Sequence, residues 1–145
     1  MLTQSEADAL LGVTKRFVAA ATIAVSPGAD DTHELVGDVD GRDERFLLDV
    51  WRGTRRIAKL KYQTRAQKVY VLARLDLNGA PHTNPDGTRI GGTHLHIYRQ
   101  GFDAKWAFPL DSSSFSDPSD PELSFHEFCT FCHVQNGYVF QAALQ

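Results

Sequence analysis

Residues 68–77 read KVYVLARLDL. This is the most apolar run of the chain, and it reads as the central strand of a sheet. The segments before it share its period of two. In 44–51 (ERFLLDVW), Phe46, Leu48 and Val50 fall on one side, and 56–62 (RIAKLKY) alternates apolar with basic residues. Segment 33–39 (HELVGDV) places Leu35 and Val39 on one face. Asp40-Gly41 joins it to the next strand as a hairpin dipeptide, since both residue types tolerate positive φ. Gly53-Thr54 supplies the following turn. Downstream, the loop 78–92 (NGAPHTNPDGTRIGG) leads to a fifth strand at 93–99 (THLHIYR) and a short sixth at 105–110 (KWAFPL).

Helical spacing marks both ends. Thr3 and Glu6 form a capping box, and Ala7, Leu10, Leu11, Thr14, Phe17, Val18 and Ala21 recur on one stripe, so a helix is expected as far as Ser26-Pro27-Gly28. The Ser/Asp/Pro-rich stretch 111–121 reads as a surface loop. Beyond it, 122–133 (ELSFHEFCTFCH) aligns Leu123, Phe125, Phe128, Cys129 and Cys132 on a second helix, with Ser124 and Glu127 as its capping box. The expected fold is α+β: an antiparallel five- to six-stranded meander sheet with an N-terminal and a C-terminal helix, in a single domain over 1–145.

With 42% hydrophobic and 23% charged residues the composition is that of a globular domain. No apolar run approaches the ~20 residues that span a bilayer, and MLTQSEADALL lacks the basic start and small-residue cleavage site of a secretory signal. A cytoplasmic protein with no membrane partner is expected. The net charge of -3 hides an asymmetry: residues 42–74 hold ten basic and three acidic side chains, the remainder five basic and fifteen acidic. Such a basic segment suits a phosphate-bearing partner, RNA here, with Arg55, Arg56, Lys59 and Lys61 as binding candidates. Lys and Arg are also ordinary on solvated strand faces, where they discourage edge pairing.

Alternation on 93–99 sends His94, His96 and Tyr98 to one face and Leu95 and Ile97 to the other. The same reasoning groups Arg74 and Asp76 with Tyr70 and Leu72 on the central strand, and the loop between adds His82, Asn84, Asp86 and Arg89. Lone histidines and polar loops are commonplace; the density of these groups is what marks the segment. Two chemistries fit. In a metal-free scheme without cofactor, His94 and His96 act as general base and acid, Arg74 stabilises phosphate charge, Asp76 orients an imidazole, His82 assists, and Arg89 and Tyr98 contact substrate. In the alternative, His94, His96 and His82 or Asp76 hold zinc or manganese. Cys129-Thr-Phe-Cys132-His133 matches the spacing for haem attachment. The same spacing is explained by core packing, since residues three apart on a helix share its buried face.

The segment LARLDLNGAPHTNPDGTRIGGTHLHIYRQGFDAKWAFPL resembles an uncharacterised family of small proteins of bacterial genomes and prophages, over almost the whole chain. More remotely, Arg74-x-Asp76, Pro81-His82 and His94-x-His96 resemble the signature of TumE-type toxins of toxin–antitoxin pairs, although the loop is longer here. That likeness implies an RNA-directed, growth-inhibiting nuclease with a cognate antitoxin protein. A non-enzymatic phage-accessory or defence-blocking binding protein, reading its partner through loop 78–92, is the expectation from a different class.

Overall fold

Asp40 and Gly41 both take positive φ, 53° and 77°, and fold β3 (Asp30–Val39) tightly back onto β4 (Arg42–Arg52). The computed structural model, which describes residues 1–141, extends this hairpin into a sheet. The other elements in chain order are α1 (Gln4–Gly12), β1 (Lys15–Phe17), β2 (Ala21–Ala24), β5 (Leu60–Ala66), β6 (Tyr70–Leu77), β7 (His82–Thr83), β8 (Arg89–Ile90), β9 (His94–Ile97), β10 (Ala107–Phe108), α2 (Pro121–Phe131) and β11 (Tyr138–Gln141). Seven strands form one sheet in the order β1-β3-β4-β5-β6-β9-β10, with every neighbouring pair antiparallel. β2 pairs with β11 in parallel, and β7 with β8 as a small separate hairpin. The expected α+β class, with a helix near each end of an antiparallel sheet, is what forms. The expected single domain over 1–145 includes residues 142–145, which lie outside the described residues.

The two faces of the sheet differ sharply. Leu35, Phe46, Leu48, Val50, Leu60, Tyr62, Ala73, Leu75, Leu77 and Leu95 belong to one buried cluster that also takes in Leu2, Ala7 and Leu10 from the α1 region and Phe125, Phe128 and Cys129 from α2. Tyr62 meets Phe125 edge-on at 5.1 Å, a favourable aromatic geometry. The opposite face carries Thr32, Asp49, Gln63, Arg74 and His96 in one cross-strand row, and Asp30, Trp51, Lys61, Asp76 and His94 in the next.

Four expectations are corrected. The first helix stops at Gly12; Lys15, Arg16 and Phe17 then pair as β1 with the edge of β3, which is why the sheet has seven strands. The third strand is 60–66, not 56–62, because residues 53–59 form a loop in which Gly53 lies against the Arg56 carbonyl too closely for any Cβ. A bulge, with Thr64 opposite Ala73 but Arg65 opposite Val71, inserts an extra residue into β6, so Tyr70 pairs with Ala66 on the core side and does not share the face of Arg74 and Asp76. Finally, α2 is capped by Asp120, which accepts from the Leu123 N–H, with Pro121 opening the helix; Ser124 is buried inside it and bonds to the Asp117 carbonyl. Cys129 and Cys132 are free and buried in the core as expected, and burial pushes both thiols up. No helix among the described residues is long and apolar enough to cross a membrane.

Lys15 is fully buried at the junction of α1, β1 and α2. Its ammonium donates to the carbonyls of Leu11, Val13 and Cys132 at 2.9–3.0 Å and lies 4.8 Å from the centre of the Phe46 ring. Burial lowers its pKa from 10.5 to about 8, so the folded chain binds this proton more weakly than the unfolded one does. Stability should therefore rise as pH goes from about 8 to 10.5, by roughly 3 kcal/mol at most from this residue. Urea unfolding across that range should show the rise in the wild type and a flat profile for it in Lys15→Met.

Candidate functional site

The register between β6 and β9 places Asp76 opposite His94 and Arg74 opposite His96. Because β9 keeps strict alternation over these residues, Leu95 anchors in the core while both imidazoles project onto the polar face. Each ring is then held at its far nitrogen by a backbone carbonyl. His94 Nδ1 lies 2.6 Å from the Gly91 oxygen, and His96 Nδ1 lies 2.7 Å from the Ala104 oxygen. A carbonyl only accepts, so both Nδ1 atoms carry hydrogen and both Nε2 atoms present lone pairs in the neutral rings. Those Nε2 atoms face one another at 3.0 Å.

An arginine and an aspartate meet at this focus. The Arg74 guanidinium donates to both Asp76 oxygens, at 2.6 and 3.0 Å, and its Nη2 donates to His96 Nε2 at 3.0 Å. Asp76 Oδ2 is 3.4 Å from His94 Nε2 and 3.6 Å from His96 Nε2. Burial pushes the Asp76 carboxyl up, but its interactions with His96 and Arg74 outweigh that and hold it well below the usual carboxylate range. Burial also pushes the His94 imidazole down, against the pull of the Gly91 carbonyl and Asp76. Asp76, His94 and His96 offer ligand atoms all within 4.8 Å of one another, so this buried group could hold a metal ion.

A roof closes over the pair, whose side chains are only 2% exposed. The half-buried His82 ring sits 4.7 Å from His96 and 5.6 Å from His94, centre to centre, and is held through its Nε2 by the Lys105 carbonyl at 2.8 Å. Asn84 fixes the hairpin beneath it. Its amide donates to the Ala107 carbonyl at 2.9 Å and its oxygen accepts the Ala107 N–H at 2.8 Å, extending the β10 edge as a strand would. The Asp86-Gly87 turn holds the tip, with Gly87 at φ 88° and the Thr88 N–H bonded to Asp86. At the hairpin's base the Gly79 N–H bonds to the Gly92 oxygen at 2.9 Å. The backbones meet so closely there that a Cβ on Gly92 would collide with the Gly79 carbonyl.

Arg74, Asp76, His82, His94 and His96 are thus brought together. The other residues expected at the site are dispersed. Tyr98 packs on the opposite side of the sheet, edge-on to Tyr70, with its hydroxyl donating to the Leu2 carbonyl, because β9 ends at Ile97 and alternation ends with it. Arg55 and Arg56 are exposed in the loop before β5, and Arg89 is exposed on the outer hairpin. Lys61 lies on the polar face two strands from His94, and Lys59 beside it at the Trp51 ring. Asp76 lies on the Nε2 side of both rings, so the orienting role expected of it falls to the carbonyls of Gly91 and Ala104. No sequence pattern announces a backbone carbonyl; the nearest signals are the Gly91-Gly92 pair and the short distance from His96 to the Lys105-Trp106-Ala107 strand.

Fold and site together define an α+β protein whose antiparallel sheet carries a buried Arg-Asp-His-His cluster on its polar face, roofed by a third histidine. The chain belongs to the family of unknown function DUF6978, whose model matches residues 2–134. No curated protein and no solved structure matches it.

The pKa directions give the site an acid-sensitive signature. The contribution of His94, whose folded pKa is lowered, is lost as pH falls below its unfolded value of ~6.5; that of Asp76 is lost as pH falls below ~4. Urea midpoints should therefore drop in two phases between neutral and acid pH, with His94→Gln removing the first and Asp76→Asn the second. At neutral pH, Asp76→Asn should cost roughly 2–3 kcal/mol, somewhat under the full penalty for a broken buried pair because Arg74 remains partly solvated.

Proposed function

We propose that the protein is a toxin-like, RNA-directed nuclease that cleaves phosphodiesters by histidine acid–base catalysis. The observation that carries the reading is the opposed pair of Nε2 atoms, their tautomers fixed by two carbonyls, with an arginine bridging the pair and the polar sheet face. Transesterification of RNA needs a base for the 2′-hydroxyl, an acid for the leaving 5′-oxygen and a cation for the phosphate. Burial favours neutral His94, which takes the 2′-hydroxyl proton as that oxygen attacks phosphorus. His96 serves in its imidazolium form, facing the Asp76 carboxylate after Arg74 has turned away, and gives its Nε2 proton to the departing 5′-oxygen. The products are a 2′,3′-cyclic phosphate and a 5′-hydroxyl. Arg74 turns from His96 to the phosphate oxygens, and His82, tied down by one hydrogen bond at an accessible position, swings aside to admit the substrate. A growth-inhibiting activity of this kind implies a cognate antitoxin protein as partner in the cytoplasm.

A second reading is supported by the same carbonyls. Metal-bound histidines commonly donate their far N–H to a backbone oxygen, and Asp76, His94 and His96 would supply a two-histidine, one-carboxylate set for zinc or manganese. Such an ion would polarise a bound water or phosphate. It would also require Arg74 to release His96 Nε2, whose one lone pair it now engages, just as the metal-free scheme does.

His94→Ala and His96→Ala should each reduce cleavage of a single-stranded RNA at least a hundredfold, the scale of a lost general acid or base. Both should abolish growth arrest on induction while the urea midpoint at neutral pH still reports a folded chain. A parent protein that neither cleaves RNA nor arrests growth would sink the proposal. Stoichiometric zinc or manganese in the purified protein, lost in His96→Ala, would replace the metal-free scheme with the second reading.

A further inference from the structure

The polar face of the sheet continues beyond the histidine cluster into an open groove of about 380 Å³, lined by Asp30, Thr32, Asp49, Trp51, Lys61, Gln63, Arg65 and Arg74. Arg74 belongs to both the groove and the cluster. The half-buried Trp51 sits in the same cross-strand row as Lys61, Asp76 and His94, so at ~4.8 Å per strand its backbone lies about 15 Å from that of His94. Two ammonium groups attend its ring, Lys59 at 5.7 Å and Lys61 at 5.4 Å from the centre.

The groove floor is already neutralised. Asp49 accepts two bonds from Arg65, at 2.7 and 2.8 Å, one from Gln63 at 2.7 Å and one from Thr32 at 2.7 Å, so Arg65 and Asp49 cancel. Burial, with repulsion from Arg74 and Lys59, pushes the Lys61 ammonium down, although Asp76 pulls it up. Among the described residues Lys59 and Lys61 make no ion pair within 4 Å, whereas Asp30 at the rim is the acidic group left facing them. A half-buried aromatic ring attended by two ammonium groups outside any ion pair offers a base a stacking surface and its phosphates a countercharge, the combination with which proteins hold single-stranded nucleic acid.

We infer that this groove is a binding site for single-stranded RNA, in which a base stacks on Trp51 and the flanking phosphates are held by Lys59 and Lys61, leading the strand to Arg74. The inference rests on the nuclease reading and supplies its substrate path. It explains why a histidine pair so fully roofed would meet RNA at all: the strand is gathered on the open face and enters from the Arg74 side. A duplex is excluded because its bases are already stacked.

The test uses a fluorescent single-stranded oligoribonucleotide with 2′-O-methyl groups, which cannot be cleaved, and reads binding by anisotropy. Trp51→Ala should weaken binding about tenfold to a hundredfold and Trp51→Phe less than about threefold, the range for losing or keeping one base–aromatic stack. Lys59→Gln with Lys61→Gln should flatten the salt dependence of binding. Duplex RNA of the same sequence should bind at least tenfold more weakly. The inference is overturned if Trp51→Ala, shown folded by its urea midpoint, binds like the parent, or if Trp51→Phe loses as much as Trp51→Ala. The two readings fail separately. Tight Trp51-dependent binding by a protein that leaves unmodified RNA intact removes the nuclease chemistry and keeps the groove. Cleavage that persists unchanged in Trp51→Ala removes the groove and keeps the chemistry.

Discussion

The antiparallel register between β6 and β9 is the constraint on which the site depends. With Leu75 opposite Leu95 in the core, Asp76 must face His94 and Arg74 must face His96 across the other side. A slip of β9 by one residue would send both histidines into the apolar cluster and bring Leu95 out. Burying both rings without hydrogen-bond partners would cost several kcal/mol. The chemistry-bearing residues therefore help specify the register that assembles them. The bulge at Thr64/Arg65 sits farther along β6, between Arg74 and Tyr70, and absorbs the extra residue without disturbing this pairing.

The fold was legible in the sequence where the two faces of a strand differ in kind. Phe46, Leu48 and Val50 alternate with polar neighbours, and the sheet uses that alternation as written. Asp40-Gly41 was equally plain, since few other dipeptides accept two positive φ values. The stretch after Gly12 was not legible, because Thr14, Phe17, Val18 and Ala21 fit a helical stripe while the β-branched and aromatic members among them also suit a strand. What settles it is tertiary: the open edge of β3 accepts β1, and β2 finds β11 more than a hundred residues away. Buried Lys15 belongs to the same junction. Its three carbonyl partners come from the end of α1 and from Cys132, and no local pattern relates those positions.

For the site, strand alternation was sufficient to join His94 to His96 and Arg74 to Asp76, and proximity in the loop brought in His82. It failed at Tyr98, where regular pairing stops, and at Tyr70, where the bulge reverses the faces. The carbonyls of Gly91 and Ala104 lay beyond it altogether. They matter most for chemistry, since without them the protonated nitrogen of each ring would be undefined. Trp51 shows the opposite failure. Its place on the polar face follows from the alternation of β4, yet a tryptophan among Val50, Leu48 and Phe46 reads as core until the register across β5 shows Lys61 beside it.

Arg74 joins the two halves of the polar face. It lines the groove, holds both oxygens of Asp76 and touches His96, so in the proposed scheme a phosphate arriving along the groove would meet it and compete with Asp76 for its donors. Bidentate pairing suits carboxylate and phosphate alike, so exchanging one for the other conserves hydrogen bonds while moving the guanidinium away from His96. In the proposed scheme that exchange leaves the Asp76 carboxylate facing the imidazoles 3.4 and 3.6 Å away. A single guanidinium thus ties the open groove to the roofed histidines.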